Sequence, residues 1–300
     1  MRWQRGPRSD DLQDRRGASG PGLGGMRLPI GRGGGIGGVI VLLVLALLGG
    51  TKVIGGGGGE GFDVGGSIFD QLQPVEEPSG APLPGAPDPQ AELVDFVSFV
   101  LNDVQTTFAD IFRRGGQQYV DAKLVLFTSA VRSGCGAASR DTGPFYCSLD
   151  RTAYLDLDFF RELARRFQAP GDFAQAYVIA HEIGHHVQEL LGVSNRVRAL
   201  AEDRPDDANE LSVRQELQAD CLAGVWAHST YQRGILEDGD IEEGLTAAAA
   251  IGDDRIQGQT SGRINPETWT HGSAEQRTAW LTRGFRSGDP DSCDTFNADI

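Results

Sequence analysis

The run Ala180-His181-Glu182-Ile183-Gly184-His185-His186-Val187 constrains this chain more than any other stretch. Two histidines four residues apart stand one turn apart on the same side of an α-helix. His181 and His185 can therefore hold one metal ion between their imidazoles. Glu182 projects to the side, where it can reach a water on that ion. Zinc suits such a pair, because it favours tetrahedral nitrogen and oxygen ligands and tolerates an open position for water. Ala176, Tyr177, Val178, Ile179 and Ala180 precede the pair, and Val187, Leu190 and Leu191 follow it. A helix this apolar belongs in a core, with its histidines on a buried or cleft-lining face. His186 falls off that face and reads as a supporting or structural residue. A bare His-Glu-x-x-His also arises by chance, so the rest of the chain must supply what a metal site needs.

A hydrolytic zinc site needs a third protein ligand. Gln215-Glu216-Leu217-Gln218-Ala219-Asp220-Cys221 lies in a segment of helical periodicity, roughly 208–228. Glu216 and Asp220 are one turn apart on one face. With that spacing one helix supplies both a carboxylate ligand, Glu216, and a carboxylate, Asp220, that hydrogen-bonds a ligand histidine and fixes its tautomer. An exposed acidic face is the commoner fate of Glu and Asp. Against it, Leu217, Cys221, Leu222, Val225 and Trp226 make much of this helix apolar, and buried carboxylates need partners. His228 and Asp220 itself are the rival third ligands.

These blocks, HEIGHH, then ELQADC with AGVWA, then AIGDDRIQ, then THGSAEQR, resemble those of the bacterial neutral zinc metallopeptidase family, membrane-anchored proteins of zincin type. GPFYC and YLDLDFF upstream match it as well, so the resemblance runs in order from about Leu93 to Phe296. It implies a zincin-like peptidase domain and says little about substrate.

Four segments follow along the chain. Residues 1–35 are rich in Gly, Ser and Arg and poor in apolar residues, which reads as a disordered basic N-terminus. Residues 36–54 centre on the apolar run Val39 to Leu48, read as a single transmembrane helix whose preceding arginines favour a cytoplasmic N-terminus. A cleaved signal peptide is the runner-up, since the strict apolar run is short. The chain is thus expected in the cell membrane as a single-pass protein, with its catalytic part extracytoplasmic. Residues 55–90 are a Gly/Pro-rich linker, and 91–300 the zincin-like domain.

Within that domain the fold class is α+β, mostly helical with a small sheet packed on the active-site helix. Leu93 through Phe112 recur at helical spacing, so 92–114 is a long helix ended by Gly115-Gly116. Lys123–Phe127 and Tyr154–Asp158 read as strands. In zincins an edge strand pairs with extended substrate, and the second strand is the preferred one here. Asp172 can cap the motif helix. Ser273 and Gln276 form a Ser-x-x-Gln capping box opening a further helix. His271, just ahead of it, is a candidate oxyanion donor, with capping or packing as the alternative.

Cys135 and Cys147 bracket a loop containing Gly and Pro, as a disulfide would, and Cys221 with Cys293 is the second expected pair. The chain has 42 acidic and 27 basic residues, a formal net charge of −15, and the basic excess is confined to the N-terminus. That argues against nucleic acid as a partner. The reading that results is a membrane-anchored, zinc-dependent peptidase acting on a peptide or protein substrate, with His181, His185 and Glu216 on Zn2+, Glu182 as general base and Asp220 orienting His181. Two alternatives stand beside it: a catalytically silent zincin-fold scaffold, and hydrolysis of a non-peptide amide by the same site.

Overall fold

The computed structural model describes residues 1–17, 87–260 and 262–300. The apolar spacing after Glu92 forms α1 (Ala91–Arg114), whose Val94, Val97, Val100, Leu101, Val104 and Phe108 are wholly buried. A four-stranded sheet follows, ordered β1 (Leu12–Asp14), β2 (Lys123–Phe127), β6 (Thr152–Asp156), β5 (Phe145–Cys147). The first three strands run parallel and β5 runs antiparallel to β6. A separate hairpin joins β3 (Ala130–Ser133) to β4 (Gly136–Ser139).

Side chains alternate across the sheet. Leu124, Leu126, Tyr146, Ala153 and Leu155 face the main core, while Val125, Phe127, Phe145, Cys147 and Tyr154 face the hairpin with Val131, Cys135 and Ala138. Both faces are covered, which explains why β2 is apolar from Leu124 to Phe127 rather than alternating, and why every residue of β6 is buried.

The helical part comprises α2 (Asp158–Arg165), α3 (Asp172–Leu190), α4 (Val193–Asp203), α5 (Ala208–Gln232), α6 (Asp240–Ala250), α7 (Asp253–Thr260) and α8 (Ala274–Ser287). Helix α3 carries the two-histidine motif and is packed by α1, α5, α6 and β5. It is apolar all round because it has little free face. Glycines set the closest crossings. A Cβ on Gly184 would lie 3.0 Å from the Ala219 carbonyl oxygen, so α3 and α5 meet with almost no side chain between them. One on Gly284 would lie 1.9 Å from the Cys221 carbonyl oxygen, which holds α8 equally close to α5.

The capping box forms as expected: the Ser273 hydroxyl accepts from Gln276 N–H at 3.1 Å and the Gln276 amide oxygen accepts from Ser273 N–H at 2.8 Å. Asp172 does not cap α3. The N-cap is Gly171 at φ 121°, and Glu243 from α6 accepts the Phe173 N–H at 3.1 Å instead.

Three further expectations are corrected. The N-terminus, expected to be disordered, is ordered over residues 1–17. β1 pairs with β2, Trp3 packs on Phe96 and Phe99, and Arg5 and Arg8 ion-pair with Asp95 at 2.7 and 3.1 Å. A composition too polar for its own core thus finds complementary charge on an acidic domain. The single-pass placement is also overturned. Among the described residues no helix is long and apolar enough to cross a membrane. Residues 1–17 and the domain form one packed body, so a single crossing between them would put paired strands on opposite sides. The expected span 36–54 itself, like most of the linker, lies outside the described residues. Finally, β6 cannot be the substrate edge, since β2 and β5 occupy both of its sides; β1 and β5 are the edges.

Both expected disulfides form, Cys135–Cys147 across 12 residues and Cys221–Cys293 across 72. Cross-linking a loop of the latter length removes chain entropy worth about 4 kcal/mol in the unfolded state, against about 3 kcal/mol for the shorter one. Cys293→Ser is therefore expected to lower the denaturant midpoint more than Cys135→Ser does. Equal midpoints for both variants and the parent would refute this ranking.

Candidate metal centre

His181 and His185 share a face of α3, as their spacing requires, and Glu216 reaches them from α5 across the Gly184–Ala219 crossing. The Glu216 carboxylate lies 3.2 Å from His181 Nε2 and 3.4 Å from His185 Nε2. All three side chains are buried, and their ligand atoms lie within 4.8 Å of one another, a group that could hold one metal ion.

The remaining ring nitrogens settle the tautomers. Asp220 Oδ1 sits 2.8 Å from His181 Nδ1 and, as a carboxylate, can only accept. Gln188 donates through Nε2 to the Gln215 carbonyl at 2.7 Å, which turns its Oε1 toward His185 Nδ1 at 2.9 Å. Both histidines therefore carry a proton on Nδ1 and turn Nε2 toward Glu216; an Nε2 that gives up its own proton is free to bind a metal. A nitrogen, nitrogen, carboxylate donor set is what Zn2+ takes in catalytic sites, so the residues present fit the metal.

Asp220 is held from several sides. Tyr177 donates to its Oδ1 at 2.5 Å, and Arg277 from α8 donates to Oδ1 at 3.0 Å and Oδ2 at 2.9 Å. Arg277 also donates to the Tyr177 oxygen at 3.1 Å. Asp220 and Arg277 are essentially inaccessible to solvent, a buried pair closed by hydrogen bonds.

The charges respond as this layout dictates. Burial works to lower the His181 pKa, but Asp220 and Glu216 overcome it and push it up to about 10. Burial works to raise the Glu216 carboxyl, and His185, His271 and His181 hold it well below the carboxylate range instead. Glu182 has no such close partner: burial pushes it up to about 7. It sits beside a small apolar recess lined by Pro144, Tyr154, Val178 and Ile179.

His271 lies near enough for its charge to be felt at both Glu216 and Glu182. Its loop is built around Asp253, whose Oδ2 accepts from the N–H groups of Thr270, His271 and Gly272 at 2.7, 2.6 and 3.1 Å, and whose Oδ1 is 3.5 Å from His271 Nδ1. Asp254 accepts from Ala274 N–H at 2.7 Å and secures the start of α8. His186 is a structural tie: Tyr146 of β5 hydrogen-bonds its Nδ1 at 2.9 Å, and its Nε2 reaches the Val120 carbonyl at 2.6 Å. His228, the rival ligand, lies apart from the group, bonded to the Phe285 carbonyl at 2.7 Å and lining a cavity of about 270 Å³ between α1 and α5 that contains none of the other candidate residues.

Sequence reading did not find Tyr177, Gln188, Asp253 or Arg277. Arg277 had a signal. Ala274, Arg277, Trp280, Leu281 and Gly284 form the buried stripe of α8, and a charge on an apolar stripe demands a buried partner. Asp253 had none, because its backbone partners are brought near only by the fold; Gln188 stands three residues after His185, but the Gln215 carbonyl that orients it lies on another helix.

Comparison with known proteins adds a family. A family model described as "Putative neutral zinc metallopeptidase" matches residues 1–296. An uncharacterized protein of Escherichia coli strain K12, YpfJ, is 44% identical over 304 residues, covering 100% of each chain. An uncharacterized protein of Mycobacterium tuberculosis strain H37Rv is 53% identical over 191 residues, covering 60% of this chain and 64% of its own. No solved structure matches the chain.

Proposed function

We propose, from the premise that this chain belongs to the putative neutral zinc metallopeptidase family, that it hydrolyses peptide bonds by metal-assisted attack of water in a zincin-like site. The observation that carries this reading is the convergence of His181 Nε2, His185 Nε2 and the Glu216 carboxylate, with both Nδ1 atoms already committed elsewhere. These three residues would hold Zn2+. When bound, the metal supplies a Lewis acid that polarises the substrate carbonyl and lowers the pKa of water.

The chain's own residues do the rest. Glu182 accepts the proton of the attacking water and later delivers it to the leaving amine; a carboxylate raised by burial is suited to both directions near neutral pH. Asp220, fastened by Arg277 and Tyr177, keeps His181 in one tautomer and orientation. Asp253 presents His271 as a donor for the developing oxyanion. β5 is the antiparallel edge strand, tied to the motif helix through Tyr146 and His186. An extended peptide adds to its free side by main-chain hydrogen bonds.

The test is metal content and peptide-library hydrolysis by the full chain, with and without chelator. About one zinc per chain is expected, with hydrolysis lost on chelation and restored by zinc. Folded protein, never exposed to chelator, that carries no zinc would refute the site. Zinc without turnover on any peptide would favour the scaffold alternative.

A further inference from the structure

The two histidines of the metal centre are held in different ways. His181 leans on a charge, Asp220, itself fastened by Arg277 and Tyr177. His185 leans on neutral amides. Gln188, wholly buried, accepts from His185 Nδ1 at 2.9 Å and commits both of its own N–H donors to α5, one to the Gln215 carbonyl at 2.7 Å and the other to Gln218 Oε1 at 3.0 Å. Gln218 in turn donates through Nε2 to the Cys293 carbonyl at 2.9 Å. Cys293 ends the turn Pro290–Cys293 and is bonded through sulfur to Cys221 of α5.

A side-chain amide has a direction, since its oxygen accepts and its nitrogen donates. The Cys293 carbonyl only accepts, so Gln218 turns its nitrogen there and its oxygen toward Gln188. Gln188 then turns its nitrogen to Gln218 and its oxygen to His185, and the ring offers Nδ1–H. A flip at either amide would set acceptors face to face in a buried space, where an unpaired polar group is costly.

We propose that Gln188 and Gln218 are positioning residues for His185, and that the Cys221–Cys293 disulfide, by fixing the carbonyl on which their chain of hydrogen bonds ends, sets how tightly the centre holds its metal. The inference rests on the metal-centre reading and adds to it a dependence on residues outside the ligand set. Arg277 and Tyr177 support Asp220 independently of this chain, so its loss falls on His185 and spares His181.

Zinc affinity of the full chain, measured by competition with a chromogenic chelator, reads the metal and not turnover. Gln188→Met should lose about 10–100-fold, the usual cost of removing the partner of a ligand histidine. Gln218→Met leaves the Gln215 carbonyl to orient Gln188, so it should lose affinity by a smaller factor. The pair Cys221→Ser with Cys293→Ser, which leaves no thiol at this site to take up zinc itself, should also lose affinity. Joining Gln218→Met to the serine pair should lose no more than the larger of the two separate losses, because both cut one chain. Additive losses, or parent affinity in Gln218→Met, would overturn the path to Cys293. Parent affinity in Gln188→Met would overturn the positioning altogether. The two glutamine variants keep the test decisive even where the serine pair does not fold.

A second readout needs no metal. Nitrogen NMR of the histidine rings in metal-free protein, above their ordinary pKa, should show His185 as the Nδ1–H tautomer in the parent and shifted toward Nε2–H in Gln188→Met, with His181 unchanged. Identical His185 tautomers in the two proteins, or an equal change at His181, would overturn the positioning. A parent that takes up no zinc would fail the metal reading, while the tautomer result still decides whether the amides orient His185.

Discussion

Glu182→Gln is expected to lower peptide hydrolysis by about 10²–10⁴-fold, the usual worth of a general base, while the purified protein retains its zinc. Glu182 follows a ligand histidine in sequence but stands off the face that His181 and His185 share, so its carboxylate can meet a water without taking part in the three-residue group. The amide keeps the shape and a hydrogen-bonding oxygen yet accepts no proton at neutral pH. Glu216→Gln should do the opposite first. It replaces a charged oxygen 3.2 and 3.4 Å from the two Nε2 atoms by a neutral one, and zinc content falls before catalysis can be assessed. Asp220→Asn should fall between, with about 10–100-fold lost in affinity or activity. Activity and bound zinc measured on all three proteins separate the roles. Wild-type turnover in Glu182→Gln, or unchanged zinc affinity in Glu216→Gln, would sink the assignment.

Arg277→Met should be the most destabilising single change near the site, by about 3–5 kcal/mol, the usual cost of stranding one partner of a buried ion pair. The variant leaves Asp220 fully buried with its negative charge and removes two of its donors, and the Tyr177 hydroxyl oxygen loses one as well. Arg277→Lys should not rescue it, because an ammonium cannot reproduce the planar two-oxygen contact. Denaturant unfolding of the parent, Arg277→Met, Asp220→Leu and the double variant forms a cycle. The double variant is expected to recover much of the loss, since the stranded charge is gone, but to bind zinc more weakly because His181 Nδ1 has lost its acceptor. A midpoint for Arg277→Met equal to the parent's would contradict the geometry described.

The elements that sequence makes legible are those whose information is local. The apolar spacing of α1, the four-residue spacing of His181 and His185, the pairing of Glu216 with Asp220 on one helix face and the Ser273 capping box are all set within one or two turns, and each forms in the fold. What escaped depends on distant partners. β5 is three residues long, between Gly143-Pro144 and Ser148, so only its ladder with β6 defines it. Strand β1 sits in a segment whose composition signals disorder, and it is ordered by Asp95, Ser98 and β2 rather than by its own residues. The strand beginning near Tyr154 lies inside the sheet rather than at its edge, because nothing in a single strand says which neighbours it will acquire. At the site, the two-histidine motif announces itself, whereas Gln188 and Asp253 take their meaning from backbone groups 27 and 17–19 residues away.

Arg16 ties two stretches of chain that are distant in sequence. Its guanidinium bonds Asp88 at 2.7 Å and Gln90 at 2.9 Å, so the chain before position 18 and the chain after position 86 are fastened to one another at a single point beside the start of α1. The intervening segment is thereby an excursion with coincident ends. Closing such a loop costs an entropy that grows only as the logarithm of its length, about 0.6 kcal/mol for each doubling. A short Gly-Ser bridge from position 17 to position 87 should therefore leave the sheet and the candidate metal centre standing.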